Sequence, residues 1–304
     1  MFAVAEFGSV CRNTNDLYSD NDILIICNKR YGKYYYDKYH SKGYSVSTFS
    51  EEQLYAMKSS GSLFLQHLKK ESKILIDNNL DFTNFLKDCS LTKPSEKEID
   101  NCKNTIQNLI SWPNYPVFLG WKSDFLYGAS RDFLIKFLAK NGIIAFGIDE
   151  IISELCSLLC LNIDQFSSLK LLRQFKSAYR TEIDLPTNII IRRTLESWAE
   201  LLQNIFGFNF YSYRDEFDIK DMVFSSNYER LRYLEIIYIC LVNSGFKHAK
   251  HTEITNLILK PNLYQSLRCK KTKLIINYLE DLYPIFKRCS FEIRRNPIKS
   301  LILL

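Results

Sequence analysis

Glycine is scarce in this chain, with ten in 304 residues. A long all-β protein built on tight turns needs more of it. No window of about 18 apolar residues occurs, so no membrane-spanning helix is expected. The short apolar run in MFAVAEFGSV has no basic stretch before it, which argues against a secretory leader and for a cytoplasmic protein. Nine cysteines are scattered along the chain without a single Cys-x-x-Cys pair. That odd, dispersed set fits free thiols in a reducing compartment. Repeats of fixed period and low-complexity tracts are both missing. What remains is an ordinary globular composition, 46% apolar and 24% charged, rich in Phe (21) and Tyr (19).

The net charge of +6 is uneven. Residues 246–304 carry twelve Lys/Arg against four Asp/Glu, so the rest of the chain sums to −2. The basic stretches LRCKKTK and FKRCSFEIRRNPIK fit either a polyanion partner or a solvated helix face.

Hydrophobic patterning divides the chain in two. FAVAEF (2–7), ILIIC (23–27) and YSVSTF (44–49) read as strands, and ILID (74–77) as a further one. Short helices are predicted at EEQLYAMK, capped by Ser50, at 62–73, capped by Ser62, and in NLDFTNFLKDCS. From about residue 95 helical patterns follow one another: 96–111, 119–140, 148–160, 165–180, 190–206, 227–245, 251–258 and 271–289. Strand signals are sparse there, with FNFYSY (208–213) the main exception. The expected fold is α+β: a small mixed-sheet domain over 1–95, then a larger, mostly helical region over 96–304, with a possible subdivision near 181–190.

The stretch FGSVCRNTNDLYSDNDILII (7–26) carries the chemistry. A strand ends at Phe7, and Gly8-Ser9 turns into a helix. Gly8 permits close backbone approach to a ligand. Backbone N–H groups at a helix start, with the Ser9 hydroxyl, suit a phosphate. Asp20 and Asp22 open the next strand at i, i+2, which puts both carboxylates on one face about 6–7 Å apart. Paired carboxylates of this kind hold Mg²⁺ or Mn²⁺ together with substrate phosphates. Metals held there would bridge the attacking and leaving oxygens at a nucleotide α-phosphate.

Gly8-Ser9, Arg12, then Ser19-Asp20-Asn21-Asp22 followed by ILII resembles the motif of the DNA polymerase β-like nucleotidyltransferase superfamily, in its minimal form. The resemblance covers residues 1 to about 80. It implies an NTP substrate, with ATP the expected one, two Mg²⁺ ions, and transfer of a nucleoside monophosphate with release of pyrophosphate. It assigns the metals to Asp20 and Asp22, and the nucleotide to Gly8, Ser9, Arg12 and Ser19. It also implies a third carboxylate on the strand that YSVSTF forms. The residues there are Tyr44, Ser45, Val46 and Ser47, and none is an acid. Asp77 or Glu51 could substitute. Alternatively two acids suffice, because the acceptor is already ionised or a partner protein supplies the base. The third reading is a site that binds nucleotide without turnover.

Other constellations are weaker. His67 lies among leucines on a helix and could bond a phosphate or serve as a base. His248 and His251 lack further metal ligands nearby. Asp124 and Arg131, seven residues apart, could line a cleft, and Arg173, Lys176 and Arg180 share one basic helix face. No His follows Arg131 at the spacing of an RNase-type helix, so nuclease activity is not expected. The leading expectation is a nucleotidyltransferase acting on an RNA 3′ end, tRNA-like in particular, on a protein hydroxyl or on a small molecule, in a bacterial defence or toxin–antitoxin setting. The alternative is a degenerate nucleotide-binding sensor or scaffold that works through a partner protein. Whether an acid or only Ser45 and Ser47 faces Asp20 and Asp22 discriminates between them.

Overall fold

The computed structural model describes residues 1–8, 11, 21–210, 227–243, 245–246, 250–261 and 269–287. Ser9, Arg12, Ser19, Asp20 and His248 lie outside the described residues. The chain is α+β, with a four-stranded mixed sheet at the N-terminus and a mostly helical remainder.

The sheet has the order β3-β2-β1-β4. Strand β1 (Ala3–Phe7) pairs antiparallel with β2 (Asp22–Ile26) and with β4 (Lys73–Asp77), while β2 pairs parallel with β3 (Ser45–Phe49). The continuous apolar run Ile23–Ile26 is fully buried, as a central strand covered on both faces should be. A parallel β2–β3 pair needs a crossover, and helix α1 (Lys29–His40) provides it. The sequence patterning gave no element there.

Ala3, Ala5, Phe7, Leu24 and Ile26 point to one face and pack with Leu54, Leu65, Leu68, Phe82 and Phe85. Those come from α2 (Glu51–Ser59), α3 (Leu63–Glu71) and α4 (Asp81–Lys87). Val4, Ile23, Ile25 and Cys27 point to the other face, against Tyr35 and Tyr39 of α1. The predicted caps hold: Ser50 and Gln53 form a capping box, and Ser62 accepts from the Phe64 N–H.

The helices that follow are α5 (Glu96–Ser111), α6 (Leu119–Lys140), α7 (Ile148–Leu159), α8 (Ser167–Arg180), α9 (Asn188–Phe206), α10 (Asn227–Asn243), α11 (His251–Leu259) and α12 (Cys269–Asp281). Residues 208–210 of the expected strand at 208–213 are irregular, and 211–213 lie outside the described residues. No described helix is long and apolar enough to cross a membrane.

Two compact units form, each from two stretches of the chain. The first is Met1–Asn104 together with Ser130–Ser167; the second is Thr105–Ala129 with Ser168–Leu304. Particular contacts draw 130–167 to the sheet unit. Lys70 pairs with Glu150 at 2.5 Å, the His67 ring stacks on Phe146, and Lys140 pairs with Glu96.

The second unit is built on a buried charge network. Asp124 accepts from Arg180 (2.7 Å) and from Arg232 (2.8 Å). Glu235 accepts from Arg232 (3.1 Å) and from the Trp121 indole (2.7 Å). The Arg232 guanidinium also lies over the Trp121 and Phe125 rings. Burial outweighs these partners at Glu235 and pushes its carboxyl up to about 7.

Candidate functional site

Asp22 is the first residue of β2, level with Phe7 on one side and Ser45 on the other. It shares its face with Leu24 and Ile26, since strand side chains alternate. Gly8 follows Phe7 directly at φ +85°, a conformation open to glycine. A Cβ built there would lie 3.0 Å from Asp22 Oδ2. Two of the nucleotide- and metal-site residues read from the sequence, Gly8 and Asp22, are therefore brought into contact. Cys11, half-buried, is the one described residue of the intervening 9–20 stretch.

Asp77 is not brought to this place. It pairs with Ala3, at the opposite end of β1 from Phe7. Four residues of strand separate the two levels, about 13 Å. There Asp77 caps α4, accepting from the N–H groups of Phe82 (3.0 Å) and Thr83 (2.8 Å) and from the Thr83 hydroxyl (2.6 Å). Burial raises its carboxyl, but the Thr83 and Phe82 hydrogen bonds outweigh that and hold it below the usual range. Glu51 sits at the same far end, just past Phe49, which is level with Ile26. Its carboxylate takes the Met1 ammonium at 2.7 Å. Glu6 lies on the other face, accepting from the Tyr44 hydroxyl at 3.1 Å. The β3 residues level with Asp22 and Leu24 are Ser45 and Ser47. On the described residues, then, two hydroxyls and no β3 acid flank Asp22.

One carboxylate at the correct end went unnoticed in the sequence. Glu71, at the end of α3, is buried, and its Oε2 lies 2.6 Å from His67 Nε2. The His67 ring stands edge-on to Phe7 at 5.7 Å and stacks on Phe146 at 4.4 Å. The ring is thus held in an aromatic box, with Nε2 at ion-pair distance from Glu71 but outside hydrogen-bond geometry. The i, i+4 His–Glu spacing was the available signal. No group of three His, Cys, Asp or Glu side chains among the described residues is placed to hold a metal ion.

The other constellations resolve into packing. Asp124 pairs with Arg180 and Arg232 and not with Arg131, which donates instead to the Phe146 carbonyl. Of the expected basic face on α8, Arg180 is spent on Asp124, and Lys176 lies over the Tyr127 ring. Buried Lys122 donates to the Trp112 carbonyl (2.5 Å) and to Asn114 Oδ1 (2.7 Å), pinning the turn before α6. It borders a cavity of about 20 Å³, room for a single water. His251 Nδ1 faces the Tyr238 hydroxyl at 3.0 Å.

The chain matches no protein-family model and no curated protein.

Proposed function

We propose that the sheet unit is a nucleotidyltransferase-type domain. It binds an NTP with Mg²⁺ at the mouth between β1 and β2, and it moves a nucleoside monophosphate to an acceptor. The observation that carries this reading is the contact of Gly8, in the left-handed conformation, with Asp22 Oδ2, in a sheet whose β1–β2 pair is antiparallel and β2–β3 pair parallel. Asp22 and Asp20 would hold the metals, which would supply Lewis-acid stabilisation of the charge on the reacting phosphate. Gly8 and Ser9 would receive the triphosphate, with Arg12 offsetting its charge and Ser19 beside it. Since Asp77 and Glu51 lie at the far end of the sheet, the acceptor would be one that needs no base from β3, such as a terminal phosphate on RNA, or would be activated by a partner protein.

A second reading is favoured by Ser45 and Ser47 standing level with Asp22 and Leu24. In it the site binds nucleotide without turnover, and the chain senses nucleotide for a partner. A single experiment separates the two. Wild type and Asp20→Ala/Asp22→Ala would each meet the four α-labelled NTPs with Mg²⁺ or Mn²⁺, total RNA and lysate protein. Label on a macromolecular band with wild type alone supports transfer. Metal-dependent NTP binding without transfer, lost in the variant, supports the sensor. Neither binding nor transfer sinks both.

A further inference from the structure

Helix α1 carries a surface that the site above does not use. Between Asn28 and Gly43 the chain has Lys29, Arg30, Lys33, Lys38 and Lys42, against the single acid Asp37. None of these five cations forms an ion pair among the described residues. The helix also holds five tyrosines, and it has no fully buried residue. Tyr35 and Tyr39, at i, i+4, face the sheet beneath. The remaining three face outward: Tyr34 is 61% exposed, Tyr31 46% and Tyr36 37%.

Their order around the helix is specific. Arg30, Tyr34 and Lys38 recur at i, i+4, i+8, so an exposed ring sits between two cations, each one turn away, about 5–6 Å along the axis. Tyr31 lies beside Tyr34 at i, i+3, and the Arg30 guanidinium covers the Tyr31 ring at 4.6 Å. Tyr36 stacks on His40, with ring centroids 5.3 Å apart. A helix whose polar face served only solubility would carry mixed charge and few large rings. Here one sign of charge is interleaved with flat aromatic faces.

We propose that α1 is a binding surface for single-stranded nucleic acid. Exposed bases stack on Tyr34 and Tyr31, and phosphates contact Arg30, Lys33 and Lys38. Unpaired bases supply the π-faces and the backbone supplies the negative charge, so this ligand uses both halves of the pattern. An acidic protein would use the cations and leave the rings idle. A duplex keeps its bases stacked inside, so it engages the cations alone. The surface covers the sheet face opposite to Asp22, and the proposal does not rest on the transferase reading.

The test uses the full chain and fluorescein-labelled oligo(U) and oligo(dT) of about fifteen nucleotides, within the span one module of this kind covers. Anisotropy is read over a salt series. Each cation in contact contributes about 0.7 to the slope of log K against log salt for a single strand. Arg30→Ala/Lys33→Ala/Lys38→Ala should therefore lower that slope by about 2. Lys93→Ala/Lys97→Ala, on exposed residues elsewhere, should leave it unchanged. Tyr31→Ala/Tyr34→Ala should weaken binding by about fivefold or more for each stacked base, and Tyr31→Phe/Tyr34→Phe should restore it. Far-UV circular dichroism should be unchanged in every variant, since none of these residues is buried. Equal binding of both oligomers assigns single strands in general; a preference for oligo(U) assigns RNA. The proposal is overturned if no oligomer binds, if the control pair costs as much as the α1 triple, if the tyrosine variants bind as wild type does, or if anionic vesicles are bound and oligomers are not.

Discussion

Replacing Gly8 by alanine tests the geometry on which the site is built. At φ +85° a Cβ is strained whatever room surrounds it. Such strain costs about 1–3 kcal/mol. Alanine also restricts the unfolded chain, which returns about 0.4–1 kcal/mol. A second cost comes from Asp22, whose Oδ2 would lie 3.0 Å from the new methyl. That is tighter than ordinary contact, so the carboxylate must shift by a few tenths of an ångström. The net expectation for Gly8→Ala is a loss of about 1–2 kcal/mol in urea unfolding. Asp22→Ala removes the crowded oxygen but leaves the φ strain. In the double variant part of the cost should therefore disappear, giving a coupling of about 0.5–1 kcal/mol. NTP and Mg²⁺ titrations on the same proteins would report whether the displaced carboxylate also weakens binding. Stability of Gly8→Ala equal to wild type, with strictly additive effects in the cycle, would refute the contact and with it the proposed mouth between β1 and β2.

Asp77→Ala should cost about 1 kcal/mol through the lost cap of α4 and leave NTP binding intact. Because the Asp77 carboxyl is held low in the fold, its contribution is present above the ordinary carboxylate range and fades as pH falls through the folded value; denaturation between pH 6 and about 2 would show a shallower acid decline in the variant. Glu235 has the opposite sign. Raised from 4.5 to about 7, it lends stability below pH 4.5 that is lost as pH climbs towards 7, roughly 3 kcal/mol at about 1.4 per pH unit. Stability of Glu235→Gln should gain on wild type by that order across the same window, and a pH-independent difference would contradict the assignment. Arg232→Met leaves buried Asp124 with Arg180 alone and Glu235 with the Trp121 indole alone, and thermal unfolding should show a loss of about 3 kcal/mol.

The strands and most helices were legible because burial imposes a period. The run of Ile23 to Ile26 reads as a central strand, and leucine spacing in 62–73 reads as a helix against a core. Helix α1 was not legible for the converse reason. It buries no residue fully and presents tyrosine and lysine around most of its circumference, with Gly32 inside, so no apolar stripe marks it. Residues with opposite sequence neighbourhoods also met unexpectedly. Asp124 and Arg131 share a helix face at i, i+7, yet Asp124 found its cations on α8 and α10, which no local spacing encodes. Asp77 ends a strand in ILID, and only the antiparallel register of β4 against β1 shows that this end lies away from Asp22. Gly8 and Asp22 were legible together because a strand end and the following strand start must meet at one edge of a hairpin-like pair.

The sheet unit takes its residues from two separate stretches, 1–104 and 130–167, with part of the other unit encoded between them. During synthesis the sheet and its first helices emerge early but wait for α7, which reaches them only after residue 159 has been made. At about 5–20 residues per second that interval lasts several seconds. Through it the surface that later meets Phe146, including His67, stays open to chaperones or to a second chain. Cutting the gene at any one position cannot yield this unit alone: a cut after residue 167 keeps both stretches but carries 105–129 of the other unit with them.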